Sequence, residues 1–287
     1  MTRAKIGSEA YWDRWIEFRE GDISDCESMI LLPSENKDYR PQFIFNLAIK
    51  YLELMICKYS RGDDLRELGA YFPPLLSAWE RSNVEGEGIF SEVQKISRRD
   101  WAGNLDHYII CFWLVGLAIM LEVSADIWSR LVTLIANEGN DILLDRLIAT
   151  RQINRKIGKS LCHPKPYTSL LSVIDEGETK QPGALLKFVE NWYPGLSRAA
   201  TEKLPASYRQ PYWYDFGTKN LEGGAFFGYW CFEAAAIAKA FGIDDSGCHV
   251  HENYPGDMLH LDGPTTHLPP VDPVFEKVRW YKKMFRV

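Results

Sequence analysis

Apolar residues recur along most of this chain at intervals of three and four, the spacing that gathers them on one face of an α-helix. Pro41–Ser60 is the clearest case. Gln42, Asn46, Lys50, Glu53 and Ser60 make a narrow polar stripe, and Phe43, Ile44, Leu47, Tyr51, Leu54 and Met55 lie away from it. Pro41 suits a first turn, where its missing N–H costs nothing. Upstream, Trp12, Trp15 and Ile16 mark the apolar side of a helix over Ser8–Glu20 that Gly21 ends, and Asp22–Lys37, interrupted by Pro33, reads as a loop. Downstream, Leu65–Trp79 starts as a helix that Pro73-Pro74 breaks or kinks. Val84–Gly88 reads as a loop and Ile89–Arg99 as a short helix. Trp101–Glu122 is apolar on almost every side, which predicts burial. Ser124 or Asp126 caps the next helix, with its face at Ile127, Trp128, Leu131, Leu134 and Ile135, and Ile142–Ile148 starts another. Short breaks between long helices imply antiparallel neighbours.

The second half repeats this logic less regularly. Residues 151–166 are basic and end in His163-Pro164-Lys165-Pro166, which reads as a linker between a domain at 1–150 and one at 167–287. Leu170–Glu176 and Ala184–Trp192 read as helices, and Pro205–Asn220 as irregular. Phe226–Asp245 then offers a helix with no solvated face, ending at Gly242 where a left-handed residue stops it. Glu233 lies within it and needs a partner or a raised pKa, since a lone buried charge is too costly. A turn-rich stretch, Asp244–Pro270, precedes a basic helical piece over Val274–Phe285. No segment sustains strand alternation. The expected class is all-α: antiparallel helical bundles in two subdomains packed together.

Charge refines the picture. The net charge is −6. Residues 1–150 hold 16 Lys/Arg against 24 Asp/Glu, and residues 151–287 hold 17 against 15. General nucleic-acid binding usually asks for a basic patch and is disfavoured. An acidic half suits a basic partner, although solubility alone explains it equally well. The six cysteines are scattered without a CxxC, as in a reduced cytoplasmic protein. The N-terminus has no apolar core of a signal peptide, and the longest uncharged apolar run, Tyr108–Leu121, is too short to span a bilayer.

Candidate chemistry is sparse. Cys248, His249, His251 and His260 are raw material for a metal site, but they sit in a turn-rich loop without paired ligand spacing. With Glu233 they define an alternative reading, an all-α metal-dependent hydrolase. Asp244-Asp245 and Asp63-Asp64 fit helix capping better than acid–base chemistry, because neighbours on a helix point about 100° apart. Glu233 is the best catalytic-looking acid, yet a structural carboxylate held by Tyr, Trp or Arg is the simpler reading. No phosphate loop, nucleophile elbow or HExxH occurs. Neither a catalytic residue nor a cofactor is expected. A helical adaptor is a third reading.

One resemblance gives these features a direction. Gly228, Tyr229 and Trp230, then Glu233, Ala234 and Ala235, then Lys239, Asp244 and Asp245, and finally Tyr254, Pro255 and Asp257 resemble the C-terminal domain of the PoNi immunity proteins. Leu186–Tyr193 resembles the segment that precedes this signature, and Asp38–Glu80 resembles the matching N-terminal domain. The resemblance implies a bacterial immunity protein that binds and neutralises a cognate DNase toxin from a type VI or other contact-dependent system. It would do so by blocking the active site or the DNA groove. The partner is then a protein, not nucleic acid or membrane, and a homodimer is compatible. The signature residues are expected to be structural or partner-binding.

Overall fold

The computed structural model describes residues 2–198, 209–263 and 266–267, and every regular element among them is helical. The helix expected over Val274–Phe285 lies outside the described residues. Ser8 opens α1 (Glu9–Leu31) by accepting the Tyr11 N–H, and α1 continues well beyond Gly21. The loop expected over Asp22–Lys37 is therefore helical as far as Leu31. Ile23, Cys26 and Ile30 extend the buried stripe of Trp12 and Ile16, which outweighs the roughly 1 kcal/mol cost of an interior glycine.

α2 (Arg40–Arg61) matches its predicted span and ends on left-handed Gly62. It packs against α1 and against α4 (Phe72–Gly86). Asp64 caps the single turn α3 (Leu65–Leu68), and Pro73-Pro74 sit in the first turn of α4, where proline is tolerated, so they start a helix instead of breaking one. α4 takes in most of the loop expected at Val84–Gly88. α5 (Glu92–Ser97) opens with a capping box between Ser91 and Gln94.

α6 (Leu105–Met120) is buried at nearly every position. α7 (Ala125–Ile135) is capped by Ser124, and α8 (Ile142–Ala149) by Asp141. Within residues 151–166, Arg155 is buried against Asp145 at 2.8 Å, and His163 donates from Nε2 to the Trp101 carbonyl at 2.6 Å. α9 (Pro164–Asp175) and α10 (Gln181–Gly195) form a pair, and α11 (Phe216–Lys219) is one turn. α12 (Phe232–Phe241) packs on α6. Their axes approach closely at Gly116, where a Cβ would stand 2.9 Å from that of Ala236. The most apolar helix of the first half is thus covered by the most apolar helix of the second, and one core runs through both.

Candidate functional site

The signature segment enters the core before it becomes helical. The helix expected from Phe226 begins at Phe232, because Gly228 takes φ +118°, a conformation that L side chains avoid. A Cβ there would also strike the Ser60 hydroxyl and the Trp230 indole. Phe226–Cys231 instead runs beside the end of α2. Ser60 Oγ donates to the Phe227 carbonyl at 2.7 Å and accepts from Trp230 Nε1 at 2.8 Å. The Tyr59 ring meets the Trp230 ring edge-on at 4.9 Å. The Cys231 N–H donates to the Asn253 carbonyl at 2.8 Å, and Asn253 Nδ2 donates back to the Tyr229 carbonyl. Tyr229 itself, half-buried, donates to the Tyr214 carbonyl and accepts from the Gly217 N–H.

Asp257 closes this seam. It is 1% exposed, and it accepts from Arg3 Nε and from the Tyr59 hydroxyl, each at 2.6 Å. Burial alone would raise its carboxyl. The His267, Arg3 and Tyr59 contacts outweigh burial and hold it well below the usual carboxylate range. Arg3 also donates to the carbonyls of Tyr59 and Asp63. The start of the chain is thereby tied both to the end of α2 and to the signature turn.

The remaining signature residues divide by exposure. Tyr254 is buried and donates to Asp245 at 2.8 Å, so Asp245 holds a tyrosine and does not cap through its side chain. Exposed Asp244 accepts the Ser246 N–H. Pro255 is buried and leads into a 3-10 turn, Gly256–Leu259. Lys239 reaches Glu122 at 2.9 Å and the Leu259 carbonyl.

Glu233 lies fully buried in the first turn of α12, where the helix dipole favours negative charge. Its Oε1 accepts from the Tyr167 hydroxyl at 3.0 Å. Burial pushes the carboxyl up to about 7, against smaller opposing contributions from Tyr167, Trp113 and Trp192. Neither indole N–H completes a hydrogen bond to it, and Oε2 is unpaired among the described residues. The Tyr167 contact links the carboxyl of α12 to α9.

The loop cysteine and histidines do not converge. Among the described residues, no three His, Cys, Asp or Glu side chains stand as a metal set. Cys248 is buried and its thiol is pushed up to about 12, first by burial and then by Asp245. His249 Nε2 lies 3.1 Å from Asp245 without hydrogen-bond alignment, and His251 Nδ1 accepts from the Asn253 N–H. His260 is exposed. The metal-hydrolase reading therefore has no ligand set in this loop.

Surface charge is organised on α1. Glu9, Asp13, Glu17, Glu20 and Glu27 are exposed, and at 100° per residue they share an arc of about 80°. Arg61 reaches Asp13 and Lys58 reaches Glu20, while the Tyr51 hydroxyl donates to Glu27. Among the described residues, no such partner meets Glu9 or Glu17. Sequence reasoning missed Arg3, Tyr59, Ser60 and His267 as parts of the seam. Ser60, placed by its spacing in the polar stripe of this helix, is instead fully buried, because its hydroxyl meets the Phe227 carbonyl and the Trp230 indole. Among the described residues, no helix is long and apolar enough to cross a membrane.

Comparison with known proteins agrees with this architecture. The crystal structure of protein PA2201 from Pseudomonas aeruginosa superposes with a TM-score of 0.66 over 91% of this chain and 90% of that one, at 16% identity. At that identity the likeness concerns fold alone. No curated protein matches the chain. Residues 3–133 match the N-terminal family of PoNe immunity proteins (PoNi), and residues 139–258 match the C-terminal one. The N-terminal match thus extends beyond the Asp38–Glu80 segment that carried the resemblance, and takes in α1 and Arg3. The chain belongs to the PoNe immunity protein family, whose members are non-enzymatic inhibitors of nuclease toxins.

Proposed function

We propose that this immunity protein acts by occlusion, laying the acidic face of α1 over the groove through which its toxin grips DNA. The observation that carries this reading is the arc of carboxylates from Glu9 to Glu27. A nuclease holds phosphates with cationic side chains. A rigid row of carboxylates presents charge of the sign those cations accept, and needs no chemistry of its own. The toxin is a DNase delivered by a type VI or other contact-dependent system, and the two proteins meet in the cytoplasm. Six unpaired thiols support that compartment. In this reading the half at 1–150 meets the toxin. The half at 167–287, reached through 151–166, braces it through α12, and the buried signature residues serve the brace.

The test is to titrate the purified protein into its toxin, following DNA cleavage and association rate. We expect stoichiometric loss of cleavage and an association rate that falls as salt rises. Glu9→Lys combined with Glu17→Lys should slow association several-fold while leaving the melting temperature in place. An association rate indifferent to salt and to both substitutions would remove the electrostatic basis of the proposal.

A further inference from the structure

We infer that one end of the bundle, where α1 stops, α2 starts and α4 gives way to α5, is the desolvated centre of the toxin interface. Its counterpart is an apolar patch on the toxin ringed by cations. This rests on the reading of the chain as a toxin-binding protein and says where the grip lies. Single exposed apolar side chains are ordinary on any surface. These are not scattered. Of the 13 large apolar side chains exposed among the described residues, eight fall within residues 29–39 and 84–96. Leu31 is 80% exposed, Leu32 62%, Val84 76% and Val93 76%.

Hydrogen bonds draw these segments to one end. Arg40, opening α2, donates to the carbonyls of Ile30 and Leu32 and to Glu85 of α4. Arg81 of α4 reaches the same Ile30 carbonyl. Arg98, just past α5, donates to Ser82 and Gln42. The guanidinium groups are thus spent on holding helix ends together. What remains outermost leans acidic: Glu27, Glu35, Asp38, Glu87 and Glu92 are exposed, against Lys37, Arg99 and the half-buried Lys95, which reaches Glu87 and Glu92.

An apolar centre with a charged rim is the usual anatomy of a specific interface. Leu31 also falls on the same arc of α1 as the carboxylates, so the acidic face runs directly into the apolar end. The rim chooses the occupant. Two copies of this chain would bring carboxylates against carboxylates, and an anionic lipid surface would be repelled in the same way. A cationic nuclease would not.

The experiment compares Leu31→Gln and Val93→Gln with Ile153→Gln, an exposed apolar position elsewhere. Toxin dissociation is followed by surface-immobilised binding, and folding by thermal melting. We expect the first two to speed dissociation roughly tenfold each, as loss of an interface anchor does, with unchanged melting and an unaltered Ile153→Gln control. If the unsubstituted protein binds the toxin and both variants dissociate at its rate, this surface is wrong while toxin binding stands. If the unsubstituted protein does not bind the toxin, the underlying reading fails and this surface with it. A dimer in sedimentation that disperses on Leu31→Gln would assign the surface to a second copy and overturn the proposal.

Discussion

Trp230 donates its indole N–H to the hydroxyl of Ser60 at 2.8 Å, joining the signature segment to the last turn of α2. The two residues are 170 positions apart, and both are essentially buried. Ser60 passes the contact on to the Phe227 carbonyl, so one hydroxyl fixes two points of the incoming strand of chain.

Trp230→Ala should cost about 3–5 kcal/mol, the range for emptying a large aromatic site. Trp230→Phe keeps most of the ring and loses the donor, and should cost about 1–2 kcal/mol. Urea denaturation checks both. A small shift for Trp230→Ala would mean that the site collapses around the vacancy or that the ring is not core.

At the helix crossing, Gly116→Val should destabilise by roughly 1–3 kcal/mol despite its better helix propensity, since it forces a Cβ into the space of Ala236. The exchange Gly116→Ala with Ala236→Gly should recover much of what Gly116→Ala alone loses. A double-mutant cycle measures this coupling, and additive effects would show that the two helices do not touch there.

The buried acid predicts a pH slope. Glu233 has its folded pKa raised from an ordinary 4.5 to about 7 by burial. A raised value means that its contribution is fully present below the unfolded pKa. It declines as pH rises between 4.5 and about 7, then levels. The total is on the order of 3 kcal/mol. Other groups titrate in the same range, so the measurement is the stability difference between the native protein and Glu233→Gln at each pH. We expect that difference to move against the native protein as pH rises through this window. A flat difference would mean that Glu233 ionises freely.

Asp257 has the opposite sign. Its folded pKa lies below its unfolded one, so its contribution is present above the unfolded value and is lost as pH falls through the carboxylate range. Asp257→Ala leaves the part-buried Arg3 without its carboxylate and should cost about 2–4 kcal/mol, somewhat less than breaking a fully buried pair. Arg3→Leu with Asp257→Leu removes both charges and should cost less than either single change. Chemical denaturation at neutral pH distinguishes these outcomes.

Helix periodicity made the architecture readable before any coordinates, because each helix writes its buried face every three to four residues. α2 and α7 appear within a residue or two of where the pattern puts them. Punctuation misled where packing overruled it. Gly21 did not stop α1, since Ile23 and Ile30 still had a core to meet. Pro73-Pro74 opened α4 because their position within the helix, which composition does not reveal, was its first turn. Phe226–Cys231 looked helical by content, and only the positive φ at Gly228 sets it apart. The seam was the least legible part. Arg3 carries no pattern, Ser60 reads as one more residue of a polar stripe and Asp257 as a signature position of unstated role, and all three acquire their meaning from neighbours more than a hundred positions away. Exposed Leu31 and Val93 were equally silent, since a sequence does not say which apolar residue the fold leaves outside.

The pairing of α6 with α12 sets a timetable for the cell. While the ribosome is still building the second half, α6 has been made but its cover has not, and an almost wholly greasy helix waits in water. A chain cut short in that interval lacks the helix that covers α6 and leaves that apolar surface exposed. The core is complete only once translation has delivered Ala236 and the turns beyond it.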